Sequence, residues 1–338
     1  MLRKKQVGKR KIIFECKTGS ILYGTSLPSS DVDFKGVFIP DPDDELNVFN
    51  ARDKKKNHVW DLSIKDKDEN GKNTENAVDR EMFSLPFFIH NILEGQPWAL
   101  EMLFVPDDMI VTKTSEWDEI LAQKQIFLST RIGGFYGFAK SQADRATLKG
   151  ERLSLVRKMI SALNVIENSK VPLRIRDFLD DRGDGTAVFN YADHMIVLDT
   201  VKSKSDAPLV KIAGRDFDYG MTLKSLRGAL TNMESSYGER VKTAADDGYD
   251  WKSLYHAYRL ISEAEEFLHT GNITLPRPDA DFLLKIRNKA SGDHREELNK
   301  GCERIRAAEN ISNLPHRPNT EAIAKLCCDL IYKHTVGE

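Results

Sequence analysis

The 338-residue sequence predicts an α+β protein, with a sheet-bearing first third and a mostly helical remainder. Three observations predict it. Short alternating or β-rich runs at 11–15, 33–40 and 77–83 are separated by turn residues. Composition shifts near residue 112, and beyond it apolar residues recur mostly at helical spacing behind Ser and Thr caps. Strands followed by a run of helices is the α+β pattern. The expected domains are 1–112 and 113–338, the second mostly helical with a β-hairpin near 187–216.

With 50 basic and 52 acidic residues the net charge is −2, unlike the strongly basic surface of a dedicated duplex binder. Cys16, Cys302, Cys327 and Cys328 show no Cys-x-x-Cys spacing, which fits reduced thiols in a cytosol. The basic start, Met1-Leu2-Arg3-Lys4-Lys5-Gln6, meets no apolar run of signal or membrane length. A soluble, cytoplasmic protein with no membrane partner is expected.

The first strand, 11–15, leads into Thr18-Gly19-Ser20-Ile21-Leu22-Tyr23-Gly24-Thr25-Ser26-Leu27-Pro28-Ser29-Ser30-Asp31-Val32-Asp33-Phe34. Gly19 tolerates positive φ and allows a close backbone approach to a ligand. Ser20 and the amides after it can face an anion at the start of a short helix, which makes a phosphate cradle. In Asp31-Val32-Asp33-Phe34 the strand period of two puts both carboxylates on one face, their β-carbons about 6.6 Å apart; Val32 and Phe34 then face the core. Two carboxylates aimed at one point repel by about 4 kcal/mol at ~4 Å. A hard divalent cation, Mg²⁺ or Mn²⁺, turns that repulsion into binding and takes substrate phosphates as further ligands. Asp-x-Asp alone is common in solvated turns, so the inference rests on the joint pattern. A phosphate cradle followed by an acidic metal pair points to metal-assisted phosphoryl or nucleotidyl transfer.

Gly19-Ser20, Gly24, Ser30 and Asp31-Val32-Asp33 resemble the signature of the DNA polymerase β nucleotidyltransferase superfamily. The longer string Gly19-Ser20-x-x-Tyr23-Gly24, then Pro28-x-Ser30-Asp31-x-Asp33-x-x-Gly36-Val37, is similar to its RNA-ligase-associated, RlaP-like branch of bacteria and phages. Thr18 departs from the apolar residue usual before the glycine. The resemblance implies a small mixed β-sheet with helices on one side, then a helical domain closing a cleft. It further implies a nucleoside triphosphate substrate lined by Gly19, Ser20, Tyr23, Gly24 and Ser30, with Asp31 and Asp33 as catalytic metal ligands.

The second strand, 33–40, ends in the turn Asp41-Pro42-Asp43-Asp44. Residues 52–76 read as a solvated irregular loop or exposed hairpin around Trp60-Asp61-Leu62, because acids alternate with the lysines. In 77–83, Asp79, Glu81 and Phe83 share one side of a strand, and Val78, Arg80 and Met82 the other. Asp79 and Glu81 compete to be the third metal-binding carboxylate, unless they are partners for lysines at a sheet edge; the resemblance favours Asp79. Lys35, beside the metal strand, is a candidate to neutralise the leaving pyrophosphate.

Ser84 caps a helix with Pro86 in its first turn and Gly95 after its end, and a short apolar helix follows at 97–104. Ser115-x-x-Asp118 opens the helical remainder, with helices expected at 116–128, 132–148 and 152–168. Gly183 and Gly185 precede β-like runs at 195–201 and 209–213, the expected hairpin. Thr222 caps a helix to about 243; others are expected at 251–269, 296–309 and 320–332, with Pro276-Arg277-Pro278 an extended linker.

In 251–269, Leu254, Ala257, Ile261, Ala264 and Leu268 form one stripe, with Lys252, His256 and Arg259 on the opposite side. That side reads as a solvated face with an Arg259–Glu263 pair. Tyr255-His256-Ala257-Tyr258-Arg259-Leu260 also resembles a His-Ala-x-Arg element of the same family, which implies that His256 and Arg259 line the cleft and hold the triphosphate or acceptor. Tyr136 and Lys140, one turn apart, lie in another stretch similar to the family, where Lys140 either neutralises pyrophosphate or is a surface lysine.

The expected activity is transfer of a nucleoside monophosphate from a nucleoside triphosphate to an acceptor hydroxyl, with pyrophosphate release and Asp31, Asp33 and Asp79 binding two Mg²⁺ ions. The acceptor is an RNA end or a protein side chain; sequence does not separate them. A catalytically silent nucleotide- or RNA-binding module is the alternative, against which the intact acidic pair argues.

Overall fold

The computed structural model describes residues 10–27, 30–40, 58–66, 69, 77–164, 172–191 and 194–336. Pro28-Ser29, the 41–44 turn, most of the polar segment 52–76 and residues 165–168 of an expected helix lie outside the described residues. The chain divides into two compact units, residues 1–140 with 255–338, and residues 141–254. The boundary expected near 112 falls inside the first unit.

The first unit is built on a five-stranded mixed sheet of order β3-β4-β2-β1-β5. Its strands are β1 (Lys11–Thr18), β2 (Asp33–Ile39), β3 (Val59–Asp61), β4 (Asp79–Ser84) and β5 (Ile110–Lys113). β2 is antiparallel to β1 and parallel to β4, and the registers align one face into three rungs: Phe14–Val37–Phe83, Cys16–Lys35–Glu81 and Thr18–Asp33–Asp79. That face thus grades from apolar at one end to acidic at the other.

Three helices follow: α1 (Leu85–Leu93), α2 (Pro97–Glu101) and α3 (Ser115–Ala122). Ser84 caps α1 as expected, its side chain accepting from the Phe87 amide. The apolar rung is covered by aromatic rings: Phe14 stacks on Trp117 of α3 with ring centres 4.1 Å apart, and the Phe83 ring lies tilted by 36° against Trp98 of α2 at 4.2 Å.

The pair of helices expected at 132–148 and 152–168 is one continuous helix, α4 (Gly133–Asn164). Gly150 does not break it; it is a site of close approach, since a β-carbon there would lie 2.7 Å from the Ala244 carbonyl. In the second unit the expected hairpin is part of a five-stranded antiparallel meander, order β10-β9-β8-β7-β6. It comprises β6 (Leu179–Asp181), β7 (Thr186–Tyr191), β8 (His194–Lys202), β9 (Pro208–Ile212) and β10 (Arg215–Asp218). Phe189, Ile196, Leu198 and Val210 bury against Val156 and Met159 of α4 and against Leu226 and Leu230 of α5 (Leu223–Ser236). Thr222 caps α5 by accepting from the Ser225 amide, but Gly238 separates it from α6 (Glu239–Asp247), so the expected helix to 243 is two.

Four helices complete the chain: α7 (Trp251–Thr270), α8 (Ala280–Arg287), α9 (His294–Ile311) and α10 (Thr320–Val336). α8 follows the non-helical Pro276-Arg277-Pro278 stretch, where no helix was expected. No helix among the described residues is long and apolar enough to cross a membrane.

Candidate active site

All three rung-forming strands reach the level of Asp33 and go no further: Thr18 is the last residue of β1, Asp33 the first of β2, and Asp79 the first of β4. Asp33 therefore stands at the end of the sheet with Thr18 and Asp79 as its cross-strand neighbours, about 4.8 Å away between strands. Asp79 is level with Asp33, whereas Glu81 lies one rung further in, opposite Lys35. Asp31 and Val32 precede the strand and both are exposed, Val32 at 37%. The expectation that Asp31 lies within the strand and Val32 faces the core is thus corrected: the ladder on either side has ended. Phe34 is half-buried with the Arg80 guanidinium 5.9 Å from its ring centre.

The cradle follows directly from Thr18. Gly19 has φ +68°, a conformation that costs an L-residue about 1–2 kcal/mol. Within the turn the Tyr23 amide donates to the Gly19 carbonyl at 3.2 Å, Gly24 to Ile21 at 3.1 Å and Thr25 to Ser20 at 2.8 Å. These helix-like bonds use the later amides, and Ser20 and Ile21 stand at its head, where a helical turn presents its leading N–H groups. A β-carbon on Gly19 would lie 2.7 Å from Asp33 Oδ2. Cradle and carboxylate are in contact, and only glycine permits it. Ser30 braces the approach to Asp31: its hydroxyl accepts from the Leu27 amide at 2.8 Å and its own amide donates to the Leu27 carbonyl at 2.8 Å.

The largest departure from expectation concerns Tyr23 and Arg259. Both are buried, at 7% and 4% exposure. The Arg259 guanidinium lies 3.9 Å from the centre of the Tyr23 ring, and Tyr23 donates its hydroxyl proton to Glu101 Oε2 at 2.7 Å. Arg259 Nη1 donates to Glu101 Oε1 and to both oxygens of Glu263, each at 2.7 Å. Arg277, itself buried, extends the cluster toward Glu263, Glu266 and Asp279. At Arg259 this side of α7 is therefore neither solvated nor open to a ligand, while Lys252 on the same side is exposed; the Arg259 charge is compensated inside the protein. Nor does the Tyr23 side chain face a substrate.

Burial and the Glu101 charge push the Glu263 carboxyl up to about 8 despite Arg259 and Arg277. At Glu101, burial is outweighed by Arg259 and the Tyr23 hydroxyl, which hold it below the usual carboxylate range. Burial also raises the Tyr23 phenol well above its ordinary value.

The same region grips the rest of the turn. Thr25 Oγ1 and the Tyr255 hydroxyl are 2.6 Å apart, Arg287 Nη1 donates to the Thr25 carbonyl at 2.9 Å, and the Arg277 amide donates to the Tyr23 carbonyl at 3.2 Å. At Gly24, φ +71°, a β-carbon would meet Pro276 at 3.0 Å. Sequence reading missed Glu101, Tyr255, Arg277 and Arg287 as parts of this assembly, whereas the Arg259–Glu263 pair was expected and is present. The available signal was Glu101 itself, a lone acid inside the apolar run Pro97-Trp98-Ala99-Leu100-Glu101-Met102-Leu103-Phe104, where a carboxylate needs a buried partner.

Lys35 directs its ammonium toward the aromatic cover, 5.3 Å from the Trp98 ring centre and 6.0 Å from that of Phe83. His256 is half-buried with its ring 4.8 Å from that of Tyr255. Lys140 is exposed on α4, one turn after Tyr136, whose hydroxyl accepts from Arg306 at 2.5 Å. Among the described residues no three His, Cys, Asp or Glu side chains are gathered as a ligand set for a metal ion. The donor chemistry nevertheless fits one: Asp33 and Asp79 are in register and Asp31 is two residues away, all hard oxygen donors of the kind Mg²⁺ and Mn²⁺ take.

A Gly-Ser turn feeds an Asp-x-Asp segment at the end of a mixed sheet, with a further aspartate on the parallel neighbour, the arrangement expected from the resemblance to nucleotidyltransferases of the DNA polymerase β type. The chain belongs to the RlaP family, described as the RNA repair pathway DNA polymerase beta family, which it matches over residues 1–319. It is also 28% identical over 290 residues to an uncharacterized 38.9 kDa protein from the nrdC-mobD intergenic region of Enterobacteria phage T4, with 82% of each chain covered. No solved structure matches the chain significantly.

Proposed function

We propose that this protein transfers a nucleoside monophosphate from a nucleoside triphosphate to a hydroxyl of an RNA end and releases pyrophosphate. The observation that carries the reading is the contact of the Gly19 turn with Asp33, in a rung shared with Asp79. Ser20 and the leading amides of the turn bind the triphosphate. Asp31, Asp33 and Asp79 are the residues that would hold Mg²⁺ or Mn²⁺. Such a cation supplies neutralisation of phosphate charge and a lowered pKa for the acceptor hydroxyl. Asp79, on the outer strand of the pair, accepts the acceptor's proton. The acceptor oxygen then bonds to the α-phosphorus as the bond from that phosphorus to the bridging oxygen breaks, and pyrophosphate leaves with the electron pair. Lys35, one rung in, adds positive charge on the same face. RNA as acceptor rests on the description of the family.

Incubation with each α-labelled nucleoside triphosphate, Mg²⁺ or Mn²⁺, and a pool of cellular RNA tests it. Label is expected to move to RNA with release of pyrophosphate, and Asp33→Asn to abolish both. Label on protein instead would replace the acceptor. Triphosphate binding without transfer under every metal and acceptor would reduce the chain to a nucleotide-binding module.

A further inference from the structure

The Gly19–Thr25 turn has two halves with different surroundings. Its first half meets Asp33. Its second half is held at every residue by groups from elsewhere in the first unit: Tyr23 by Glu101, Arg259 and the Arg277 amide; Gly24 by the close approach of Pro276; Thr25 by Tyr255 and Arg287. The halves are tied together, because the Tyr23 amide donates to Gly19 and the Thr25 amide to Ser20. A displaced Tyr23 therefore shifts the backbone that carries the leading amides.

We propose that the Tyr23–Glu101–Arg259 triad is a positioning device for nucleotide binding: its charges never touch the triphosphate, and it sets the place of the Gly19–Ser20 backbone that does. The inference rests on the nucleotidyltransferase reading. Three features favour positioning over simple ballast. The triad converges on one side chain of the turn. Arg259 meets Tyr23 face-on as well as pairing with Glu101, a geometry that uses the flat guanidinium and that lysine does not reproduce. Glu101 accepts from both Tyr23 and Arg259, so each member orients the other two.

The variants are Tyr23→Phe, Glu101→Gln and Arg259→Lys. The first two keep shape and remove no positive charge. The readouts are affinity for a fluorescent nucleoside triphosphate, Mn²⁺ affinity without nucleotide by electron paramagnetic resonance, and cooperative melting to identify folded protein. All three variants are expected to weaken triphosphate binding about ten- to a hundredfold, the scale of a roughly 1 Å misplacement. Mn²⁺ affinity, which depends on the aspartates, stays at the wild-type value. Wild-type triphosphate affinity in Tyr23→Phe and Glu101→Gln, with loss only in Arg259→Lys, would overturn the proposal and make Arg259 a phosphate ligand. Wild-type affinity in all three would leave the triad a structural cluster and overturn it as well. A wild-type protein that binds no triphosphate would instead overturn the nucleotidyltransferase reading, and the inference with it.

Discussion

At the end of the sheet, Asp33 and Asp79 sit side by side with Asp31 nearby, like charge beside like, Asp31 and Asp79 exposed. Around Arg259, two carboxylates and two guanidinium groups are buried in mutual contact. Both regions concentrate charge, yet they differ in what completes them. In the buried cluster the carboxyl and guanidinium groups answer one another within the fold. The aspartates are like charges side by side, and we propose that a cation arriving from outside completes them.

That contrast breaks most directly at the two centres. Asp33→Asn is expected to remove several kcal/mol of transition-state stabilisation, about a thousandfold or more in turnover, while unfolding free energy stays within about 0.5 kcal/mol of wild type or rises. Steady-state kinetics beside denaturant unfolding checks both halves. Arg259→Met should do the reverse to stability, costing about 3–5 kcal/mol because Glu101 and Glu263 are left buried without their shared donor; the denaturant midpoint reads it. Gly19→Ala lies where the two regions meet. Strain at positive φ costs about 1–2 kcal/mol, and the collision with Asp33 should weaken triphosphate binding, measured by equilibrium dialysis.

The smallest effect is the pH dependence from Glu263. Its carboxyl moves from the ordinary 4.5 to about 8 on folding, so the folded form keeps a proton that the unfolded chain releases. The stability this contributes is complete below about pH 4.5 and is lost as pH rises through about 8. Glu263→Gln, which cannot ionise, should therefore gain in melting temperature relative to wild type from about pH 5 to pH 9. A constant difference across that range would contradict the assignment.

Legibility followed locality. The acidic end was readable because each part is written within a few residues: Gly19 for a turn, Asp31 and Asp33 two apart, Asp79 at the start of an alternating strand. Ser84 and Thr222 were readable as caps for the same reason, since a side chain accepting from an amide three residues on is a local event. The Arg259 cluster was not, because Arg259 and Glu101 are 158 residues apart and the polar side of α7 looks identical whether it meets water or a buried carboxylate. The outer strands of the second sheet, Leu179–Asp181 and Arg215–Asp218, escaped notice because LDD and RDFD read as loops. The two-unit division was hidden by α4 and α7, which run unbroken through residues where one unit's range gives way to the other's.

The central claim is that the Asp33 end of the sheet is completed by a divalent cation together with a nucleoside triphosphate. Mn²⁺ binding by electron paramagnetic resonance, with and without a non-hydrolysable triphosphate, tests it most directly. Wild-type protein should take up Mn²⁺ more tightly when the triphosphate is present, and Asp33→Asn should lose that uptake while melting as wild type does. Equal Mn²⁺ uptake by wild type and Asp33→Asn would contradict the account.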